Sequence, residues 1–177
     1  GIGPPTCADV TVRQFASARV GAIRVNVNPA YRPNELLYAS NKVGVRMVVT
    51  ARQFKTSDYH AMLKEVRGEV PTRERVIALG IEMTDGPNDL LWSEMLAMRS
   101  DISTAALTER EATISSRDPN NIQFTSGTTG NPKAATLTHH TVVNNAAAIA
   151  TVLAPTTDDR VERKRTRPNS PHPRHPS

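Results

Sequence analysis

Nine consecutive residues, Thr125-Ser126-Gly127-Thr128-Thr129-Gly130-Asn131-Pro132-Lys133, bring together four hydroxyls, two glycines and one ammonium. A polyphosphate suits this mixture. Gly127 and Gly130 permit positive φ and let the backbone approach an anion closely. Exposed N–H groups in such a loop form an anion-binding nest. The hydroxyls of Thr125, Ser126, Thr128 and Thr129 donate to phosphate oxygens without adding charge, and Lys133 supplies a flexible point charge. Pro132 stiffens the exit and places Lys133 reproducibly. The pattern is not a Walker A loop, which has four residues between its glycines and a Lys directly after the second. Here two residues separate the glycines, and Asn131-Pro132 intervene before the Lys. A plain hydroxyl-rich turn is the bland alternative.

Other chemistry-bearing residues read more quietly. His139 is expected at a helix start, bonded to backbone instead of substrate, and His139-His140 lack the ligand cluster a metal site requires. No metal site is expected. Cys7 has no partner cysteine among the 177 residues, so neither an internal disulfide nor a CxxC site is expected, and the thiol reads as inert. His60 reads as a solvent-facing helix residue, and Trp92, Met95 and Met98 read as core. Residues 28–31 (Asn-Pro-Ala-Tyr) read as a strand-end turn that packs the sheet, not as a ligand contact.

The elements that must carry the loop alternate in hydrophobic period. Val12, Phe15, Ala16 and Arg19-Val20 lie on one helical face, followed by a strand over 22–26 that ends at Asn28-Pro29. A helix over 34–43 turns Leu36, Leu37, Ser40 and Val43 inward and stops at Gly44. A strand at 46–50 precedes a helix capped by Ser57 or Asp58, with Tyr59, Met62, Leu63 and Val66 on one face. A third strand covers 75–79. Strand centres about 23 and 30 residues apart match βαβ crossovers, so an α/β fold with a parallel sheet covered by helices is expected.

Beyond it come a turn at 85–89, a short helix around Leu91, Met95, Leu96 and Met98, and helical residues over 109–116 that stop at Asp118-Pro119. Strands at 122–125 and 135–138 flank the loop, and a helix carrying Val142, Val143, Ala146, Ala150 and Leu153 closes the pattern.

Composition narrows the class. The chain of 177 residues carries a net charge of +5, with 22 basic and 17 acidic residues. Six of the basic and one of the acidic residues lie in 160–177, which leaves 16 of each in 1–159. The excess belongs to a tail of Arg, Pro, His and Ser, expected to be disordered because it cannot bury enough apolar surface. A specific nucleic-acid partner is therefore not expected. The most apolar stretch, 142–154, is shorter than the ~20 residues of a membrane span and contains two Asn. No signal peptide is legible in the first five residues, and a cytoplasmic protein is expected.

TSGTTGNPK closely resembles the phosphate-binding loop of the adenylate-forming (AMP-binding) enzymes, a superfamily that includes the acyl-CoA synthetases. Leu137-Thr138-His139 resembles that family's step into a helix, and Val27-Asn28-Pro29-Ala30-Tyr31 with Glu35-Leu36 resembles its NPAY…EL segment. Asn121-Ile122-Gln123-Phe124 and Asn144-Asn145 look most like the medium-chain acyl-CoA synthetase branch. The resemblance spans residues 7–155 and implies a partial N-terminal adenylation domain over 1–155, followed by the tail at 156–177.

The implied reaction is a two-step ligation. ATP and a carboxylic acid give an acyl-adenylate and pyrophosphate, and coenzyme A then displaces AMP. The residues from Thr125 to Lys133 would hold the β- and γ-phosphates, with Mg²⁺ arriving on the nucleotide and Lys133 stabilising developing charge.

Where the family usually has Gly after the loop Lys, this chain has Ala134, strained if that position needs positive φ. The family's downstream adenine, ribose and C-terminal-domain segments have no counterpart before residue 177. The Gly1 start and the biased tail lead to the expectation of a truncated gene with a frame change near 157–160, inactive alone. The alternatives are a small phosphate-binding α/β module without ligase activity, or a nucleic-acid binder acting through its basic tail.

Overall fold

The computed structural model describes residues 8–54, 56–80, 86–125, 131–156 and 159. Its contacts divide the chain into residues 1–143 and residues 144–177. The first unit runs α1 (Ala8–Arg19), β1 (Arg24–Asn26), α2 (Pro33–Val43), β2 (Met47–Ala51), a small ribbon of β3 (Gln53–Phe54) and β4 (Ser57–Asp58), and α3 (Tyr59–Glu65). There follow β5 (Arg75–Leu79), β6 (Leu90–Leu91), α4 (Trp92–Ala97), α5 (Thr104–Ala112), β7 (Pro119–Thr125), β8 (Lys133–Thr138) and the start of α6 (His139–Leu153).

The fold is α/β with parallel strands, as the periods imply, but the strands are shared between two sheets. β2, β5 and β6 form one, all parallel, with Val48 opposite Val76 and Thr50 opposite Ala78. Val76, Ile77 and Ala78 are buried in succession, the mark of a strand covered on both faces. The strand expected first, β1, does not join them. It pairs in parallel with β7, which pairs antiparallel with β8. Crossover spacing shows that a strand can return parallel to another, but does not select its neighbour.

The core lies where α2 and α3 meet the first sheet. Leu36, Val48, Tyr59, Leu63, Val66, Val70 and Val76 form one buried cluster. α2 begins with Pro33, and Glu35 Oε2 accepts the Arg32 N–H at 2.8 Å. It ends at Gly44, whose φ of 62° is the left-handed conformation expected of that glycine. Asp58 caps α3 by accepting the Ala61 N–H at 3.0 Å.

Three expectations shift. The helix placed at 109–116 runs from Thr104 to Ala112 instead, because Ser103 supplies the cap by accepting the Ala106 N–H at 3.1 Å. The face of α1 is helical but not buried: Val12 and Phe15 are 59% and 64% exposed. Trp92 and Met95 are only half-buried and Met98 is exposed, so none of the three belongs to the core. The Arg13 guanidinium instead stacks over the Trp92 ring, 5.7 Å from its centre.

In the second unit, the remainder of α6 carries Ala148, Ile149, Val152 and Leu153 along one shallow apolar groove. Among the described residues no helix is long and apolar enough to cross a membrane. Cys7 and the tail from residue 160 lie outside the described residues.

Candidate functional site

β7 and β8 present the ends of the chemistry-bearing loop. Pro119 opens β7, the strand position that tolerates a missing N–H. The ladder runs from there to a last pair, Thr125 opposite Lys133. Directly opposed residues of an antiparallel pair project from one face, about 4.5–5.5 Å apart at Cβ. The Thr125 hydroxyl and the Lys133 ammonium therefore leave the hairpin on the same side, and both residues are exposed. Gln123, two residues before Thr125, shares that exposed face.

Of the nine predicted site residues, the structure describes Thr125, Asn131, Pro132 and Lys133. Ser126, Gly127, Thr128, Thr129 and Gly130 lie outside the described residues, and so does the positive φ expected of the two glycines. Ala134 sits within β8 opposite Phe124. Among the described non-glycine residues only Ala154 has positive φ, so the strain considered for Ala134 does not arise.

Beside the Thr125–Lys133 end of the ladder lies a cleft of about 580 Å³ lined by Asn26, Val27, Asn28, Pro29, Tyr31, Glu35, Gln123, Phe124 and Pro132. β1 and β7 run parallel, with Asn26 opposite Gln123, so both deliver their C-terminal ends here. That is where ligands enter open α/β sheets. Residues 28–31 do form the expected turn: the Tyr31 N–H donates to the Asn28 carbonyl, and the Ala30 N–H to Asn28 Oδ1, both at 3.0 Å. Asn28, Pro29 and Tyr31 also line the cleft, which the turn reading did not anticipate.

Charge sorts the two ends of this region. Burial pushes the Tyr31 phenol up from its ordinary range, and the negative charge of Glu35 adds to the effect, so it faces the cleft as a neutral donor. Glu35 makes that end unfavourable for an anion. Lys133, at the hairpin mouth, makes the other end favourable.

Sequence reasoning placed Tyr59 on the packed face of its helix but missed its hydroxyl contact, and it missed Tyr38 altogether. Tyr38 of α2 donates its hydroxyl to the Pro132 carbonyl at 3.3 Å, and Tyr59 of α3 donates to the Pro29 carbonyl at 2.9 Å. His139 does open α6, but its ring lies against a side chain: Nδ1 is 2.9 Å from Asn120 Nδ2, and the buried Nε2 has no hydrogen-bond partner. Among the described residues no group of three or more His, Cys, Asp or Glu is placed to hold a metal ion.

Comparison with known proteins identifies the class. The AMP-binding enzyme family model matches residues 1–166, and the chain belongs to that family. It is 41% identical over 161 residues to the rat medium-chain acyl-CoA ligase ACSF2, mitochondrial, covering 83% of this chain and 26% of that protein. The apo structure of MbtA from Mycobacterium smegmatis superposes with a TM-score of 0.68 at 26% identity, over 89% of this chain and 27% of that one. The anthranilate CoA ligase AuaEII, solved with anthranoyl-AMP, gives 0.58 at 20% identity, over 78% and 24%. The chain thus spans about a quarter of the length of the curated relatives it matches.

Proposed function

We propose that residues from Thr125 to Lys133 grip the β- and γ-phosphates of ATP in a ligase that activates a carboxylic acid as its adenylate and then transfers the acyl group to coenzyme A. The observation that carries this reading is the register of β7 and β8. It sets Thr125 and Lys133 on one face at the hairpin mouth, beside the C-terminal ends of two parallel strands. The intervening Ser126, Gly127, Thr128, Thr129 and Gly130 supply donors and close approach, and Asn131 and Pro132 lead out to the Lys. A polyphosphate fits the donor set of alcohols and one ammonium. Bound with the nucleotide, Mg²⁺ would offset the charge of the departing pyrophosphate.

The names of the relatives support the acid–thiol chemistry and a medium-chain acid, and anthranoyl-AMP beside AuaEII supports an adenylate. We assign residues 1–155 to part of the adenylation domain and 156–177 to a basic tail. The 177 residues, about a quarter of the length of these relatives, bind nucleotide but do not turn over alone. Placement in the cytoplasm competes with the organelle named in the rat relative, and fractionation of cells expressing the gene distinguishes them.

Titration calorimetry tests the binding reading. ATP with Mg²⁺ should bind the chain, and Lys133→Ala should weaken it by about tenfold or more, the loss of one charge-assisted contact. Equal affinity of the variant, or binding of adenosine as tight as ATP, would overturn the assignment.

A further inference from the structure

We propose that Tyr38 is a positioning residue for the loop exit: its hydroxyl holds the Pro132 carbonyl and thereby fixes where Lys133 stands. The inference rests on the polyphosphate reading of the loop and adds a residue to it. Pro132 has a ring-fixed φ, so one soft torsion, its ψ, remains between the loop and β8. The peptide that follows is planar and carries the Pro132 carbonyl and the Lys133 N–H together. The Tyr38 hydroxyl donates to that carbonyl at 3.3 Å, so it restrains the plane and with it the remaining torsion. Both torsions of the joint are then set before any ligand arrives.

The donor stands on a rigid support. Tyr38 lies on α2 between Leu36 and Ala39-Ser40, all three buried, and the helix is fixed at its two ends by Glu35 and Gly44. The same device recurs on the other rim of the cleft, where the fully buried Tyr59 reaches Pro29. Two helices packed on the β2–β5–β6 sheet thus hold two prolyl carbonyls on the β1–β7–β8 side. A side-chain bond spanning 94 residues of sequence joins the core directly to the loop exit.

Tyr38→Phe in the ¹⁵N-labelled 177-residue chain tests the assignment, because it deletes the hydroxyl and keeps the ring. The Lys133 amide resonance should move and its hydrogen exchange accelerate. Affinity for ATP with Mg²⁺ should fall about three- to tenfold, the worth of one neutral hydrogen bond. Should that variant fail to fold, Tyr38→Met, which fills the space with a flexible side chain and lacks the hydroxyl, should give the same two changes. Unchanged Lys133 exchange, or altered exchange with unchanged affinity, would overturn the positioning role. If the unsubstituted chain binds no ATP, the polyphosphate reading fails, and the tether is then judged on Lys133 exchange alone.

Discussion

Lys133 contributes to no core contact and stands exposed at the first position of β8, so its charge is available to a ligand. Lys133→Ala should therefore separate binding from stability: ATP affinity falls while the melting temperature stays within a degree or so, since exposed substitutions are usually neutral. Gly44 shows the reverse. A Cβ there would have room, its closest neighbour being Thr72 Cγ2 at 4.0 Å, but φ is 62°. Gly44→Ala should cost about 1–2 kcal/mol in urea unfolding from backbone strain alone, whereas Gly68→Ala, in open space without positive φ, should cost close to nothing. Acid stability has a residue-scale source too. The hydrogen bond and charge of Arg46 hold the exposed Glu74 carboxyl below its ordinary range. A carboxyl depressed in the folded state stabilises above its unfolded pKa and loses that contribution as pH falls through the folded one. In thermal melts between about pH 5 and pH 3, Glu74→Gln should lose less stability than the unsubstituted chain, by a small margin because the pair is exposed. The loop's donor set, alcohols and glycines ahead of one ammonium, is a property of residue types and was legible at this scale. Tyr38 was not, because a side chain meeting a backbone carbonyl 94 positions away leaves no periodic trace.

At the scale of elements, α2 and α3 were readable because period and cap coincided. Leu36 and Ser40 are buried as expected, Asp58 caps as expected, and Gly44 ends its helix as expected. Two substitutions measure those signals. Leu36→Ala, at a site 1% exposed, should destabilise by about 2–5 kcal/mol through lost transfer energy and a cavity. Asp58→Ala should cost about 1 kcal/mol, the usual worth of an N-cap, in the same urea titration. The misreadings have physical causes. α5 begins earlier than its apolar residues suggest because Ser103 captures the Ala106 N–H, a polar signal that outweighed a weak apolar period. β1 left the first sheet because β7 offers it Ile122 opposite Val25, a pairing between strands far apart in sequence.

For the whole molecule, the decisive ratio is coverage. The chain corresponds to 26% of the rat relative's length. An adenylation reaction has charge developing on several sides of the nucleotide, and donors on one side stabilise only part of it. Purified 1–177 should release no acid-dependent pyrophosphate in a coupled phosphate assay, while still binding ATP. Exposed apolar side chains such as Phe15 and Ile102, at 64% and 65% exposure, should also make it associate as its concentration rises, which light scattering reads directly.

One measurement reaches the central claim most directly: site-resolved NMR of the labelled chain titrated with inorganic triphosphate and Mg²⁺, then with adenosine. Saturable movement of the Thr125 and Lys133 amides with triphosphate, and none with adenosine, is the expected result. Shifts confined to residues remote from the β7–β8 hairpin, or none at all, would contradict it.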